Sequence, residues 1–348
     1  MNTLSMLPIP LLAWYQDNAR DLPWRREVTA YRVWVSEIML QQTRVAAVLG
    51  YYRRFLEEAP DIAALAALPE DRLLKLWQGL GYYNRARNLQ RAARVIVEEH
   101  GGVFPADYAA VRALPGVGDY TAGAVCSIAF GQAAPAVDGN VLRVYARICG
   151  DGGDITAPRM KQKVTRAVGE IIPLNAAGKF NQALMELGAT VCLPNGAPLC
   201  QRCPAQGFCA ALAQGRVGEL PVKAPKKARR VEKRAVWLIF WENRVALRRR
   251  PDKGLLAGLW EFPNELGDGP LPPDWGIGAC SEEYGGQAKH IFTHMEWRMA
   301  IRLVRAASGV LPPGWVWAAA DELEKTYAVP SAFQRAVELA GEHLRGMD

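Results

Sequence analysis

Four cysteines crowded into one proline-broken stretch constrain this chain more than any other feature. Cys192, Cys200, Cys203 and Cys209 lie in CLPNGAPLCQRCPAQGFC, separated by seven, two and five residues, just after a helical pattern ends. Thiols that close together imply a disulfide pair, zinc or an iron–sulfur cluster. Disulfides fit poorly. The N-terminus, MNTLSMLPIPLLAWYQ, lacks the basic region and small-residue cleavage site of a secretory signal, and Cys126, Cys149 and Cys280 are scattered in apolar contexts. Structural zinc favours two close pairs, and only Cys200–Cys203 forms one. Thiolate-only ligation at uneven spacing suits a cubane iron–sulfur cluster better, with zinc as the alternative.

Such a loop needs a folded body around it, and 348 residues of which 50% are hydrophobic suffice for two or three domains. No apolar run reaches membrane-spanning length. The expectation is a cytoplasmic protein in a reducing compartment, with no membrane partner and acting as a monomer. A net charge of +7 fits an anionic partner such as nucleic acid without requiring one.

Up to about residue 190 apolar residues recur at three and four, as in TRVAAVLGYYRRFLEE and NRARNLQRAARVIVEEH, which predicts helix after helix. Residues 1–215 are read as this helical domain. Residues 216–233 are read as a basic linker, because Lys223 to Arg234 holds seven basic residues against one acid, Glu232. The stretch is either a solvated tether or one lying along phosphates. Residues 234–348 form a second, α+β domain. There the period becomes two: AVWLIFW and NRVALRRR read as neighbouring strands turning at Glu242–Asn243, and the chain ends in a helix over about 331–344. From Gln287 to Arg305 the alternation breaks once, at Phe292–Thr293, with the aromatic predicted outward and the hydroxyl inward, as at a bulge or loop.

Several patterns carry chemistry. In LPGVGDYTAGAV, Gly116 and Gly118 form a Gly-x-Gly turn between helices, leaving a helix N-terminus bare toward an anion. No P-loop lysine follows. A hairpin gripping a DNA phosphate and a plain helix–helix turn both fit. Asp138 in AVDGNVLRVYARI sits at an N-cap, where it serves as a structural cap or as a carboxylate kept ionised by the helix end. Glu37 is the lone acid in VWVSEIML; if buried, its pKa rises. A carboxyl held as an acid and another held as an anion form the arrangement for cleaving a glycosidic bond. Gln41 and Gln42 follow one helical turn later, as amides suited to bases. Tyr82 and Tyr83 are either base-stack wedges or core aromatics.

Together, SEIMLQQT, GLGYYNRARNL, LPGVGDYTAGA, AVDGNV and FNQALMELGA, followed by the cysteine loop, closely resemble the adenine DNA glycosylases of the MutY type, in the helix–hairpin–helix superfamily. GLLAGLWEFP and HIFTHMEW look like that family's Nudix-like C-terminal domain. The resemblance covers nearly the whole chain. It implies a mainly α glycosylase domain with a [4Fe–4S] loop, and an α+β Nudix-like domain that recognises 8-oxoguanine. The partner implied is double-stranded DNA carrying adenine opposite 8-oxoguanine or guanine. The implied roles are Glu37 as general acid and Asp138 as stabiliser of the oxocarbenium ion. Asn140 and Tyr120 orient the sugar and carboxyls, and Gln182 reads the adenine edge. Gln41, Gln42 and Tyr82 fill the gap and wedge the duplex, while Gly116 and Gly118 hold a phosphate. Phe292, Thr293 and His294 match a Phe-Ser-His loop that reads 8-oxoguanine, with Thr keeping the hydroxyl.

Endonuclease III shares the hairpin and cluster but resembles the chain less. Its Schiff-base lysine is replaced here by Tyr120, which implies a monofunctional glycosylase. Nudix hydrolysis is disfavoured, because Glu282–Glu283 before Gly285 lacks the upstream Arg–Glu. Two departures from the family pattern remain. The first cysteine gap is one residue longer than usual, and Asp119 puts a carboxylate in the hairpin.

Overall fold

The computed structural model describes residues 3–225 and 228–346. They form two compact units, one of residues 3–67 and 88–225, the other of residues 68–87 and 228–346. No helix among the described residues is long and apolar enough to cross a membrane.

The first unit is helical. Its apolar spacing buries Leu7, Leu11, Val144, Val164, Phe180 and Leu187 in one cluster. Helices Gly139–Ile148 and Ala177–Thr190 approach closely because Gly188 has no side chain; a Cβ there would lie 2.5 Å from Asn140 Cβ. Helices Tyr108–Ala113 and Asp119–Phe130 flank the hairpin, where Gly116 has φ 75° and Val117 N donates to Leu114 O at 3.0 Å. A Cβ at Gly116 would strike Asn88 Cβ at 2.5 Å, so both conformation and space demand glycine. Asp119 has a local role. Arg112 Nε donates to its carboxylate at 2.5 Å, and Arg112 Nη1 donates to Val117 O at 3.0 Å, so one guanidinium braces both sides of the turn.

The second unit is built on a seven-stranded sheet. β1 (Arg230–Trp241) runs antiparallel to β2 (Arg244–Arg249) across the expected turn, pairing Phe240 with Val245. The sheet continues through β3 (Trp260–Glu261), β4 (Asn264–Leu266), β5 (Ala279–Ile291), β6 (Met295–Ala306) and β7 (Trp315–Ala318), in the order β3-β2-β1-β6-β5 with β4 on β1 and β7 on β2. Central β1 is buried on both faces. Val236, Leu238 and Phe240 meet Ala336, Ala340 and Leu344 of the C-terminal helix Gln334–Arg345. Ala235, Trp237 and Ile239 meet a second cluster containing Trp241, Trp275, Trp315 and Trp317. A period of two thus feeds two cores from one strand.

Three expectations change here. The break at Phe292–Thr293 is a reversal between two antiparallel strands, β5 and β6, with Ile291 opposite Glu296. The reversal resets the alternation. Phe292 therefore turns inward onto Trp297, with ring centroids 4.8 Å apart, and Thr293 is exposed. Residues 68–87, read as part of the helical domain, fall in the second unit. Lys75 Nζ donates to Tyr327 O at 2.9 Å and Gln78 Nε2 to Val329 O at 2.7 Å, side-chain bonds that leave no trace in hydrophobic period. The expected linker is divided: Val222 and Ala224 bond to the first unit, residues 230–233 open β1, and Lys226 and Lys227 lie outside the described residues.

Candidate functional site

Helix Ala30–Leu40 is capped by Thr29, whose side chain accepts from Arg32 N at 3.2 Å. Trp34, Val35, Ile38 and Met39 are buried on it, and Glu37 is buried among them at 6% exposed. Burial pushes the Glu37 carboxyl up to about 7; the Tyr120 hydroxyl, donating to Oε2, and the Arg25 charge pull it down, while the Asp138 charge pushes it further up. Tyr120, half-buried and facing two acids, is held far above the usual phenol range and so keeps its proton to donate. Its oxygen also lies 3.2 Å from Met185 Sδ.

Asp138 caps helix Gly139–Ile148, accepting from Val141 N at 2.8 Å and from Asn140 Nδ2 at 2.8 Å. Burial outweighs the cap and raises the Asp138 pKa above its ordinary value. Its hydrogen bonds to Val141 and Asn140 and the charge of Arg143 all favour the anion. The segment entering the cap is fixed by Asn181, fully buried, which donates to Ala134 O at 2.8 Å and accepts from Ala136 N at 3.1 Å.

Glu37, Tyr120, Asp138, Asn140, Gln41 and Gln42 line one cavity of about 1090 Å³, together with Gly116, Gly118 and Gln182. That is the scale of a small-ligand cleft. Gln41 and Gln42 lie just past the end of the helix. The helix stops at Leu40, and Gln42 takes φ 58°, a left-handed conformation uncommon for a residue with a side chain. Gln182 is fixed at both ends, accepting from Tyr15 Oη at 3.4 Å and donating to Gly178 O at 3.3 Å. Gly118 is the N-cap of helix Asp119–Phe130, and an added Cβ there would meet nothing within 4 Å.

The remaining site residues lie in the second unit. Tyr82, 47% exposed at φ 48°, shares a 2.8 Å hydrogen bond with Thr293 Oγ1, whereas Tyr83 is buried. His294 is exposed, and its carbonyl accepts from Arg230 N at 3.3 Å. Glu282 and Glu283 lie on β5, where Arg302 Nη1 donates to Glu282 at 2.7 Å.

Sequence reasoning missed a buried clamp on the same cavity. Glu186 is 1% exposed and accepts from Arg20 Nε at 2.6 Å, Arg20 Nη2 at 2.9 Å and Arg25 Nη2 at 2.8 Å, which holds its pKa down. Its signal was the one that singled out Glu37: a lone acid in an apolar run, ALMELGA. Also missed were Arg143 and Arg147 on the Asp138 helix. Arg143 donates to Asn140 Oδ1 at 2.8 Å, Gly188 O at 2.7 Å and Cys192 O at 2.8 Å; Arg147 donates to Leu193 O at 2.8 Å and lies 3.3 Å from Cys192 Sγ.

Cys192, Cys200, Cys203 and Cys209 line one cavity walled by Val144, Leu187 and other apolar side chains, and none is in a disulfide. Among the described residues no three His, Cys, Asp or Glu side chains converge as they would around a single metal ion. Four thiols facing one apolar space are a donor set that a zinc ion or an iron–sulfur cluster could take.

Comparison with known proteins agrees with this architecture. The family described as HhH-GPD superfamily base excision DNA repair protein matches residues 35–170, and a NUDIX domain matches residues 235–339. The chain is 35% identical to an adenine DNA glycosylase of Mus musculus, over 97% of this chain and 78% of that protein. A thermostable thymine-DNA glycosylase superposes with a TM-score of 0.56 at 28% identity, covering 61% of this chain and 97% of that one. An endonuclease III trapped as a covalent intermediate with DNA superposes with a TM-score of 0.52 at 25% identity, covering 62% and 99%.

Proposed function

The chain belongs to the adenine DNA glycosylases of the helix–hairpin–helix base-excision repair superfamily, and from that premise we propose that it is monofunctional and removes adenine mispaired with 8-oxoguanine or guanine. The observation carrying this reading is the pair of carboxyls on one cavity: Glu37, buried and raised to about 7, and Asp138, half-buried and surrounded by N–H donors.

The adenine nucleotide leaves the duplex stack and enters the cavity. Glu37 passes its proton to a ring nitrogen of adenine as the bond from nitrogen to C1′ lengthens, so the base departs neutral. Positive charge gathers on the sugar, and Asp138 stabilises it or bonds to it transiently before water adds at C1′, its released proton returning to the Glu37 carboxylate. Asn140, fixed by Arg143, holds the Asp138 carboxylate. Tyr120 keeps Glu37 oriented. A phenol has no amine and cannot form the imine a lysine would, which supports a glycosylase that leaves the strand intact.

Gln182, steadied by Tyr15, reads the adenine edge. Gln41, Gln42 and Tyr82 fill and wedge the duplex, and the Gly116–Gly118 turn holds a phosphate. Residues 234–348 read the base opposite, through Phe292, Thr293 and His294. The test is a panel of duplexes with adenine opposite 8-oxoguanine, guanine or thymine, comparing wild type with Thr293→Ala. Wild type should favour 8-oxoguanine over guanine, and Thr293→Ala should lose about tenfold of that preference, the loss expected for one hydrogen bond to the base. An unchanged preference would remove the hydroxyl from recognition.

Cys192, Cys200, Cys203 and Cys209 would hold a [4Fe–4S] cluster. Bound there, it cross-links the loop and serves docking onto DNA, with no part in bond cleavage. Protein purified under argon should contain about four iron atoms per chain and absorb visible light. Cys203→Ser should lose both and melt at lower temperature. Colourless protein with stoichiometric zinc would overturn the assignment.

A further inference from the structure

The basic stretch after the cysteine loop is pinned where it begins. Arg147 Nε donates to Leu220 O at 2.8 Å, Ile155 N to Val222 O at 3.1 Å, and Ala224 N to Asp154 Oδ1 at 3.3 Å. Asp154 in turn accepts from Thr156 N at 2.9 Å and Thr156 Oγ1 at 2.8 Å. These bonds lay residues 220–224 beside the 154–156 turn. They put Lys223 on the wall of a second cavity, about 530 Å³ in volume.

Thr156 also lines that cavity, and so do Thr43, Arg44, Asp138 and Asn140, which it shares with the catalytic cavity. Lys223 and Arg44 are exposed, and neither side chain has an acidic or hydrogen-bonding partner among the described residues. The acids nearby are already engaged: Asp138 by its own helix and Asn140, Asp154 by the strap and Thr156. Two uncompensated cations on an open cavity form a seat for a phosphodiester, which is a monoanion rich in acceptors. A nucleotide whose sugar lies at Asp138 brings its flanking phosphates within reach of this cavity.

We propose that this second cavity seats a backbone phosphate adjoining the extruded nucleotide, with Lys223 and Arg44 as its cations, and that residues 220–224 are a wall of the DNA site and not a free tether. The proposal rests on the reading that the adenine nucleotide places its sugar at Asp138.

The test uses full-length protein and duplexes whose target is a 2′-fluoro-2′-deoxyadenosine opposite 8-oxoguanine, because the fluorine protects the bond from cleavage. Binding is titrated with salt. Lys223→Ala should reduce the slope of log affinity against log salt by about 1, the value for one phosphate contact, and Lys223→Arg should restore it. Single phosphates around the target are then replaced by neutral methylphosphonates. One position should weaken wild type and leave Lys223→Ala unaffected. Asp154→Ala, which unpins the strap, should reproduce the loss of Lys223→Ala and add nothing to it in the double variant. An unchanged salt slope in Lys223→Ala, or equal sensitivity of both proteins to every methylphosphonate, overturns the proposal and leaves Lys223 a solvated side chain. The underlying reading fails on a different result: wild type that releases no adenine from the unfluorinated duplex.

Discussion

Glu37→Gln is expected to slow adenine release in single turnover by about 10²- to 10⁴-fold, the range for losing a general acid, while DNA affinity stays within about tenfold. The amide fills the same space and still accepts from Tyr120, so the loss isolates the proton. The pH dependence follows from the same residue. With a carboxyl at about 7 in the folded protein, the protonated form is lost as pH rises through that value, and the wild-type rate should fall with it. Tyr120 donates to Glu37 and thereby holds its pKa down, so Tyr120→Phe should move this limb to higher pH.

The acid also carries a stability cost with a defined sign. An unfolded glutamate titrates near 4.5, and the folded one at about 7, so between those values the native state binds the extra proton. Stability therefore falls as pH rises through that window. The difference of about 2.5 pH units corresponds to roughly 3 kcal/mol. Glu37→Gln removes this dependence. The variant should be more stable than wild type by about 2–3 kcal/mol at pH 8, with the gap closing toward pH 4.5. Chemical denaturation at the two pH values measures it; a gap that does not depend on pH would mean that Glu37 is not buried as an acid.

Asp138→Asn is expected to cost about 10²- to 10³-fold in the same single-turnover rate, from loss of the charge opposite the developing oxocarbenium ion. Asparagine is as good an N-cap as aspartate, so the cap survives, and the stability lost should be no more than that of the one hydrogen bond from Asn140. Asp138→Ala should lose activity to a similar extent and, in addition, about 1 kcal/mol of stability with the cap. This pairing separates the two readings of Asp138. If Asp138→Asn retained most of its activity, the residue would be a structural cap and no more.

Much of this site was legible in the sequence because it depends on local exceptions. Glu37 stood out as an acid in an apolar run, Asp138 as a cap before a helical pattern, and Gly116 as a turn that needs a left-handed backbone. Each is an anomaly visible within about one helical turn. What stayed hidden depends on pairing across distance. Glu186 is held by Arg20 and Arg25, more than a hundred and fifty residues away in sequence. Arg143 and Arg147 look like ordinary charges on an amphipathic helix until the cysteine loop arrives beside them. The 292–294 segment was misjudged for a geometric reason. A hairpin reversal inside an alternating run resembles a single misplaced residue, and only strand pairing shows that Phe292 turns in while Thr293 turns out. Residues 68–87 were assigned by neighbourhood in sequence, but side-chain bonds from Lys75 and Gln78 to backbone carbonyls decide where they pack.

The most direct measurement is single-turnover reaction of wild type on a duplex with one adenine opposite 8-oxoguanine, scored for free adenine and for strand breaks with and without alkali. The account predicts adenine release at a rate that Glu37→Gln abolishes, with breaks only after alkali. Lys161 is the one lysine among the described residues that line the catalytic cavity, so breaks without alkali, together with a borohydride-trapped adduct, would point to imine chemistry through an amine and contradict the account.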